Sequence, residues 1–548
     1  MKKKSILGLL IAASMFAGVL TGCGNDAAQV QGGNNVETAQ ETDVATSSDH
    51  VFTVASSTDI GVSLNPHMYH SGAALYALNF VYEPLVMYSK GEIVPALADE
   101  WSVSEDGLTY TFHIRENAKF SDGTVCDANN VVKNFDAILQ DRDAYAWMGV
   151  CANMDSWYAV DDHTFEFKLT QPYYPALQEL ASVRPWRMLG DAGFMDDGSS
   201  INGIKEPIGT GAFVLSDYKE NEYAEFVRNE YYWGEAPKLD KFRVQIITDS
   251  QTAVSAFESG QVDMLYDNYE SSLMGIDTFK SLQDEGYVSA ISDPVLTRVI
   301  TLNSSKKPLD DFNVRKAIIL GLDRQTMVDS IFGGLEEMAQ SYYWPNVMYC
   351  NVGLEGYAYD PEESARLLDE AGWKLEDGAE YRTKDGETLS LEYYYDASHA
   401  VQTSFAQVFQ SDMKKIGIKV DIMGEESNAN INRIYGGDFQ VGYSVSWGDP
   451  QDPYSTLNAM SLDGYTDEQF ALAPCDGYAE FAATVQSTFS ETDPAVIQEK
   501  HDYLLHYIED QYCIIPISYQ TNRAIAQKGV SGIEFGYSNV MPMTSVSR

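Results

Sequence analysis

The sequence predicts an α/β fold with mixed sheets, carried by a body of about 500 residues behind a short leader. Three observations predict it. Segments that alternate polar and apolar residues with a period of two, such as Thr109-Tyr110-Thr111-Phe112-His113-Ile114 and Thr164-Phe165-Glu166-Phe167-Lys168-Leu169, read as half-buried strands. Stretches with helical periodicity and cap signals lie between such strands. The two kinds alternate along the chain instead of forming separate blocks, which is the pattern of an α/β protein.

Taken in chain order, the first element is not part of the fold. Lys2-Lys3-Lys4 is a basic start, and Ile6 to Leu20 is apolar but too short for the ~20 residues that cross a bilayer core, so residues 1–22 read as a signal peptide. It runs into Leu20-Thr21-Gly22-Cys23, a lipobox-like end at which Cys23 is the residue expected to be lipidated. Two acyl chains on one cysteine are enough to hold a protein on a membrane surface. Residues 24–49 lack aromatic residues and are rich in small and polar ones, so 23–50 reads as a lipidated cysteine and flexible tether. The body follows. Phe242 to Ile247 reads as a strand, Ser250 to Glu258 as a helix and Val262 to Tyr266 as a strand, with Gly260 at the turn: a βαβ unit. Asp360-Pro361-Glu362-Glu363 starts a capped helix that ends at Gly372. Phe405 to Ile416 is a helix closed by Gly417, and Ile418 to Met423 the next strand. No second apolar run of about 18 residues occurs, so membrane contact is expected through lipid alone.

With 44% hydrophobic and 12% aromatic residues the body can bury two or three domains. The formal charge of −45 excludes nucleic acid as a natural partner and favours solubility or cationic ligands. Besides Cys23, the chain holds Cys126, Cys151, Cys350, Cys475 and Cys513 with no Cys-x-x-Cys, so neither a zinc ribbon nor a thioredoxin-like motif is present, and buried free thiols are expected.

Ala98-Asp99-Glu100-Trp101, Ser104-Glu105-Asp106-Gly107-Leu108-Thr109-Tyr110, Lys119-Phe120-Ser121-Asp122-Gly123, Pro207-Ile208-Gly209-Thr210-Gly211-Ala212-Phe213 and Arg228-Asn229-Glu230-Tyr231-Tyr232-Trp233-Gly234 together resemble extracellular solute-binding family 5, which serves importers of oligopeptides, dipeptides and nickel. Leu64-Asn65-Pro66-His67-Met68-Tyr69 and Pro172-Tyr173-Tyr174-Pro175 through Arg184-Pro185-Trp186-Arg187 are most similar to its nickel-binding subgroup. The resemblance implies a two-lobed periplasmic-binding-protein fold that closes by hinge bending over a cleft. Lobe one would be built from residues 51–294 and 518–548, and lobe two from 295–517. The implied partners are the permease subunits of an ABC importer and a small-molecule, metal-chelate or peptide ligand, on the outer face of the membrane, whether that face borders a periplasm or a cell wall. No cofactor is implied; the ligand would be nickel or another transition metal in a chelate.

By the same resemblance Arg184 falls on a carboxylate-binding arginine, suited to a bidentate pair with a ligand carboxylate. Tyr69, Trp147, Trp447, Tyr465 and Asn539 fall on the pocket wall, where aromatic faces would form a slot for a flat chelate or a peptide side chain. Asp449 or Asp452, in Trp447-Gly448-Asp449-Pro450-Gln451-Asp452-Pro453, would face a ligand ammonium group, or else build an Asp-Pro turn. Two positions depart from the nickel pattern. Ala144 replaces a second pocket arginine, and Tyr465 a histidine, an imidazole being a far better nickel ligand than an un-ionised phenol. His70, with His67 three residues before it, is the candidate for direct metal ligation.

Two other classes compete. Ser216, Ser304 and Ser411 each stand three residues before a lysine, as in penicillin-recognising enzymes, but neither Lys-Thr-Gly nor Ser-Asp-Asn accompanies them, and no Gly-x-Ser-x-Gly or His-Glu-x-x-His occurs. An enzyme is therefore not expected. A surface adhesin would share the anchor and the acidity but needs no pocket.

Overall fold

The computed structural model describes residues 50–548 except 62–63, 69–72, 90, 141, 146, 269–271, 448–452, 463–465 and 537–540. Its main feature is an eleven-stranded mixed sheet. From edge to edge this runs Lys419–Glu425, Ser390–Asp396, Val441–Val445, Val288–Leu302, Ile514–Ala526, Met264–Asp267, Phe52–Ser56, Lys241–Ile246, Tyr223–Arg228 and Phe213–Lys219, with Glu337–Met338 added beside Ile514–Ala526. A separate four-stranded antiparallel sheet orders Ala98–Val103, Thr109–Ile114, Thr164–Leu169 and Met154–Asp161.

The alternation that marked Thr109–Ile114 and Thr164–Leu169 has a direct physical counterpart, because the two strands pair with each other and bury one face apiece. Phe112, Phe165 and Phe167 all point into one core, with Phe135 and Trp186 packed over them. The helix Pro361–Glu370 begins where the cap signal put it: the Asp360 carboxylate accepts the Glu363 backbone N–H at 2.9 Å. Helix Ser250–Glu258 has the same device, with Asp249 accepting from Thr252. Helix Ala400–Lys415 starts earlier than its apolar periodicity predicted and closes before Gly417, whose φ of +82° is the left-handed conformation that ends helices.

The expected βαβ unit is present with one change. Lys241–Ile246 and Met264–Asp267 are not neighbours; Phe52–Ser56 lies between them, parallel to both. The connection through helix Ser250–Glu258 thus passes over a strand contributed from the start of the body.

Three large cores result. One gathers Phe52, Tyr76 to Tyr82, Phe213, Phe242 and Met264 with Ala524, Ala526 and Met541, so both ends of the body share it. A second rests on the four-stranded sheet. The third draws its buried members from Val299 to Ile517. Two long strands, Val288–Leu302 and Ile514–Ala526, run antiparallel to each other from the first core into the third. Their ladder is interrupted between Ile291 and Pro294, between Pro294 and Leu296, and between Arg298 and Val299.

Candidate functional site

Three of the residues singled out from sequence, Trp147, Arg184 and Trp447, are described, and each sits on a segment whose neighbours are firmly held. Trp147 lies between the 3-10 turn Arg142–Tyr145 and the helix Gly149–Asn153. Tyr145 before it is buried and donates its hydroxyl to the His67 carbonyl at 2.9 Å. Met148 after it is buried in the second core, while the indole itself is 39% exposed. A five-residue helix cannot stand alone, because it makes too few hydrogen bonds to offset the ordering of its backbone. Here the Glu179 carboxylate accepts the otherwise unpaired N–H groups of Gly149 at 2.9 Å and Val150 at 2.7 Å. Gly149 is required for the approach, since a Cβ there would lie 2.1 Å from the Tyr173 ring.

Arg184 follows the helix Ala176–Ala181, which carries Glu179, in a turn fixed from both sides. Trp186 is fully buried with its ring 4.7 Å from Phe135. Arg187 spends its guanidinium inside the molecule: Nη1 donates to the Ala181 and Ser182 carbonyls at 3.2 and 2.7 Å, and Nη2 to Asn79 Oδ1 at 2.9 Å. Two arginines three residues apart therefore have different tasks. Arg187 ties the turn together, and Arg184 is the half-buried one.

Trp447 leaves the end of strand Val441–Val445, 37% exposed. Ser446 before it is tied twice to Thr297 on a long strand, its N–H donating to the Thr297 carbonyl and its Oγ accepting the Thr297 N–H, both at 2.8 Å. The helix Pro453–Ser461 then brings in Tyr454, whose ring stands edge-on to Tyr173 at 6.5 Å and whose hydroxyl approaches Glu179. Glu179 thus links the segment of Trp147 to the helix before Arg184, and through Tyr173, which donates its hydroxyl to Glu179 at 2.6 Å and meets the Tyr454 ring, to the helix that follows Trp447. Burial pushes its carboxyl up to about 7, while the Tyr173 hydroxyl, the two N–H groups and Tyr454 pull the other way.

Sequence reasoning missed Glu179, Tyr173 and Tyr454. One signal was legible: Glu179 is the lone charge in Ala176-Leu177-Gln178-Glu179-Leu180-Ala181, and a lone acid on an apolar helix needs partners.

His67 is removed from the metal-ligating candidates. It is 3% exposed, its Nε2 faces the Arg187 carbonyl at 3.1 Å and its Nδ1 the Ser200 hydroxyl at 2.7 Å. A carbonyl can only accept, so Nε2 carries the proton and Nδ1 receives the Ser200 hydroxyl. Both ring nitrogens are occupied, and burial lowers the imidazole to about 4, so it stays neutral. Ala144, at the position of the lost arginine, is exposed. Tyr69, His70, Asp449, Asp452, Tyr465, Asn539 and Cys23 lie outside the described residues.

Residues 92–467 match the family described as bacterial extracellular solute-binding proteins, family 5 middle. The chain is 35% identical over 476 residues to the nickel-binding periplasmic protein of Escherichia coli, covering 86% of this chain and 90% of that one. It is 28% identical over 422 residues to the dipeptide-binding protein of the same organism, covering 72% and 76%. Among solved structures, NikA from Brucella suis in complex with Fe(III)-EDTA superposes with a TM-score of 0.86 at 35% identity, over 91% of this chain and 100% of that chain. The chain belongs to the family 5 extracellular solute-binding proteins, with their two-lobed binding-protein fold, and is the solute-binding component of an ABC importer and not an enzyme.

Proposed function

We propose that this protein captures nickel, or a related transition metal, as a small organic chelate and hands it to the permease of its importer. The reading is supported by the way Glu179 holds the segments of Trp147 and Arg184 in a chain 35% identical to a nickel-binding protein along 86% of its length. An aromatic face and a guanidinium suit a flat ligand bearing carboxylates. The ion is cargo and comes with its own ligands, so Arg184 recognises the organic part and His70 is the residue that would touch the metal. Tyr69, Trp447, Tyr465 and Asn539 complete the wall, and Asp449 or Asp452 faces any ammonium group. Lobe two spans 295–517, closing on a lobe made of 51–294 and 518–548, and Cys23 carries the lipid that keeps the protein at the outer face of the membrane.

A peptide is the second reading, favoured by the 28% identity to a dipeptide-binding protein. Calorimetry with free Ni²⁺, nickel in an amino-acid-derived chelator and dipeptides separates the two. The chelate should bind and hydrated Ni²⁺ should bind weakly or not at all. Arg184→Ala should cost about 2–5 kcal/mol by stranding a desolvated carboxylate. Tight binding of bare Ni²⁺ that survives Arg184→Ala and disappears with His70→Ala would overturn the chelate reading, and binding of dipeptides alone would establish the second.

A further inference from the structure

Two buried thiols meet a buried cation at the base of a helical hairpin. Helices Tyr478–Phe489 and Pro494–Asp510 pack on one another, with Cys475 just before the first and Cys513 just after the second. Arg315, on helix Phe312–Leu320, is 4% exposed. Its Nε donates to the Gln511 carbonyl at 3.1 Å and its Nη1 to the Leu309 carbonyl at 2.8 Å, both neutral acceptors. Its Nη2 points at Cys475 Sγ, 3.7 Å away. Among the described residues no carboxylate pairs with this guanidinium, so its charge is left to act on the sulfur it faces. Cys475 is the ionisable group it touches.

The surroundings of the sulfur fit an anion. The Cys513 thiol adjoins it, and the Ser304 hydroxyl, 3.6 Å away, gives its own proton to the Ala471 carbonyl. Cys475 Sγ is also 3.5 Å from the Ala471 carbonyl, which would accept a thiol proton. That carbonyl already receives the Ser304 hydroxyl, so ionising Cys475 leaves it satisfied. The Cys513 hydrogen bond and the Arg315 charge hold the Cys475 thiol below the ordinary thiol range, against its own burial and the neighbouring Asp476, whereas Cys513 is pushed up, mainly by burial. Tyr507, from the second helix of the hairpin, also faces the pair. By contrast Cys126 and Cys151 are buried in an apolar core near Glu83 and Glu179 and are pushed up.

We propose that Cys475 and Cys513 are an oxidant-reactive pair, Cys475 the attacking thiolate and Cys513 the resolving thiol, which hydrogen peroxide converts to a disulfide. The thiolate attacks one peroxide oxygen, the O–O bond breaks and hydroxide leaves, giving a sulfenic acid at Cys475. The Cys513 thiol attacks that sulfur, its proton goes to the departing oxygen, water leaves and the S–S bond forms. Peroxide gains two electrons and the two thiols lose them. The bond closes the base of the hairpin, which meets the second core through the Phe489 carbonyl, bonded to the Tyr174 N–H at 3.0 Å, and the His501 ring, edge-on to Tyr174.

The test is peroxide treatment of the full chain purified under reductant, followed by digestion and mass mapping. The expected result is a linked Cys475–Cys513 peptide that dithiothreitol separates, with Cys126, Cys151 and Cys350 still reduced. In Cys513→Ser, dimedone should trap a sulfenic acid at Cys475. In Arg315→Gln, alkylation of Cys475 near neutral pH should slow by about tenfold or more, because the thiolate fraction falls with each pKa unit gained. Wild-type protein in which the five thiols react alike would overturn the proposal. So would a folded Cys513→Ser variant, by circular dichroism, whose Cys475 reacts no faster than Cys350.

Discussion

Glu179 is held by more donors than its place in the sequence suggests, and this gives it a measurable titration. Its folded carboxyl is raised to about 7, against about 4.3 for an unfolded glutamate. The native state therefore keeps a proton that the unfolded chain has released, and the stability this brings is complete below the unfolded value and lost as pH rises through about 7. In thermal melts, wild type should lose stability relative to Glu179→Gln between about pH 5 and about pH 8, at up to about 1.4 kcal/mol per pH unit. Glu83 and Asp267, also raised to about 7, and His67 and His501, lowered to about 4, titrate in both proteins and cancel in the difference. A gap that stays constant with pH would mean that Glu179 is ionised throughout. Gly149→Ala tests the same bracket from the steric side. With no room for a methyl against the Tyr173 ring, it should cost about 1–3 kcal/mol in denaturant unfolding. Of this, only the lone charge of Glu179 on its apolar helix was visible in residue types: Arg184 and Arg187 look alike in sequence, and only the Ala181, Ser182 and Asn79 acceptors separate their tasks.

Helices and strands were the most legible level, because their signals are local. Asp360 followed by Pro361 marks a helix start for two independent reasons, a side chain that accepts an orphan N–H and a ring that fits the first turn. Asp360→Ala should accordingly destabilise the protein by about 1 kcal/mol, read as a shift of the unfolding midpoint with little change in slope. Sheet order was not legible. Nothing in Lys241–Ile246 or Met264–Asp267 says that Phe52–Ser56 will lie between them, because strand choice depends on long-range pairing rather than local propensity. The early start of Ala400–Lys415 has a similar cause: its first five residues, Ala400-Val401-Gln402-Thr403-Ser404, hold one large apolar side chain and carry little of the periodicity used to find it.

For the whole protein, the two-lobed fold makes closure the expected response to ligand, since a ligand touching both lobes favours the state in which they are together. Small-angle scattering at saturating chelate should show a smaller radius of gyration than without it, and an unchanged profile with binding verified by calorimetry would contradict hinge closure. At the other end of the chain, Cys23→Ala should abolish lipid labelling and release the protein from the membrane fraction; unchanged membrane retention would sink the lipid anchor. Recognition of the family needed motifs spread along the body, from Ala98 to Gly234, and several of these hold glycines that the packing requires. Gly209 and Gly211 illustrate the point, each having backbone of residues 80–81 where a Cβ would stand. The candidate pocket was less legible, since its described residues come from distant segments that meet only through Glu179, Tyr173 and Tyr454.

The two long strands Val288–Leu302 and Ile514–Ala526 stay paired between the cores they join, with Pro294 opposite Thr521, Leu296 opposite Gln520 and Arg298 opposite Ser518, despite the three interruptions of their ladder. A ribbon of this kind resists stretching and in-plane sliding, because either would break several ladder bonds at once, but it bends and twists out of plane at little cost. It acts as a leaf spring, with its weak points at the three places where the ladder skips. Motion of one core against the other is thereby confined mainly to bending and twisting of that ribbon. If the cleft closes on ligand as proposed, the bend of this ribbon is what a docking permease would read.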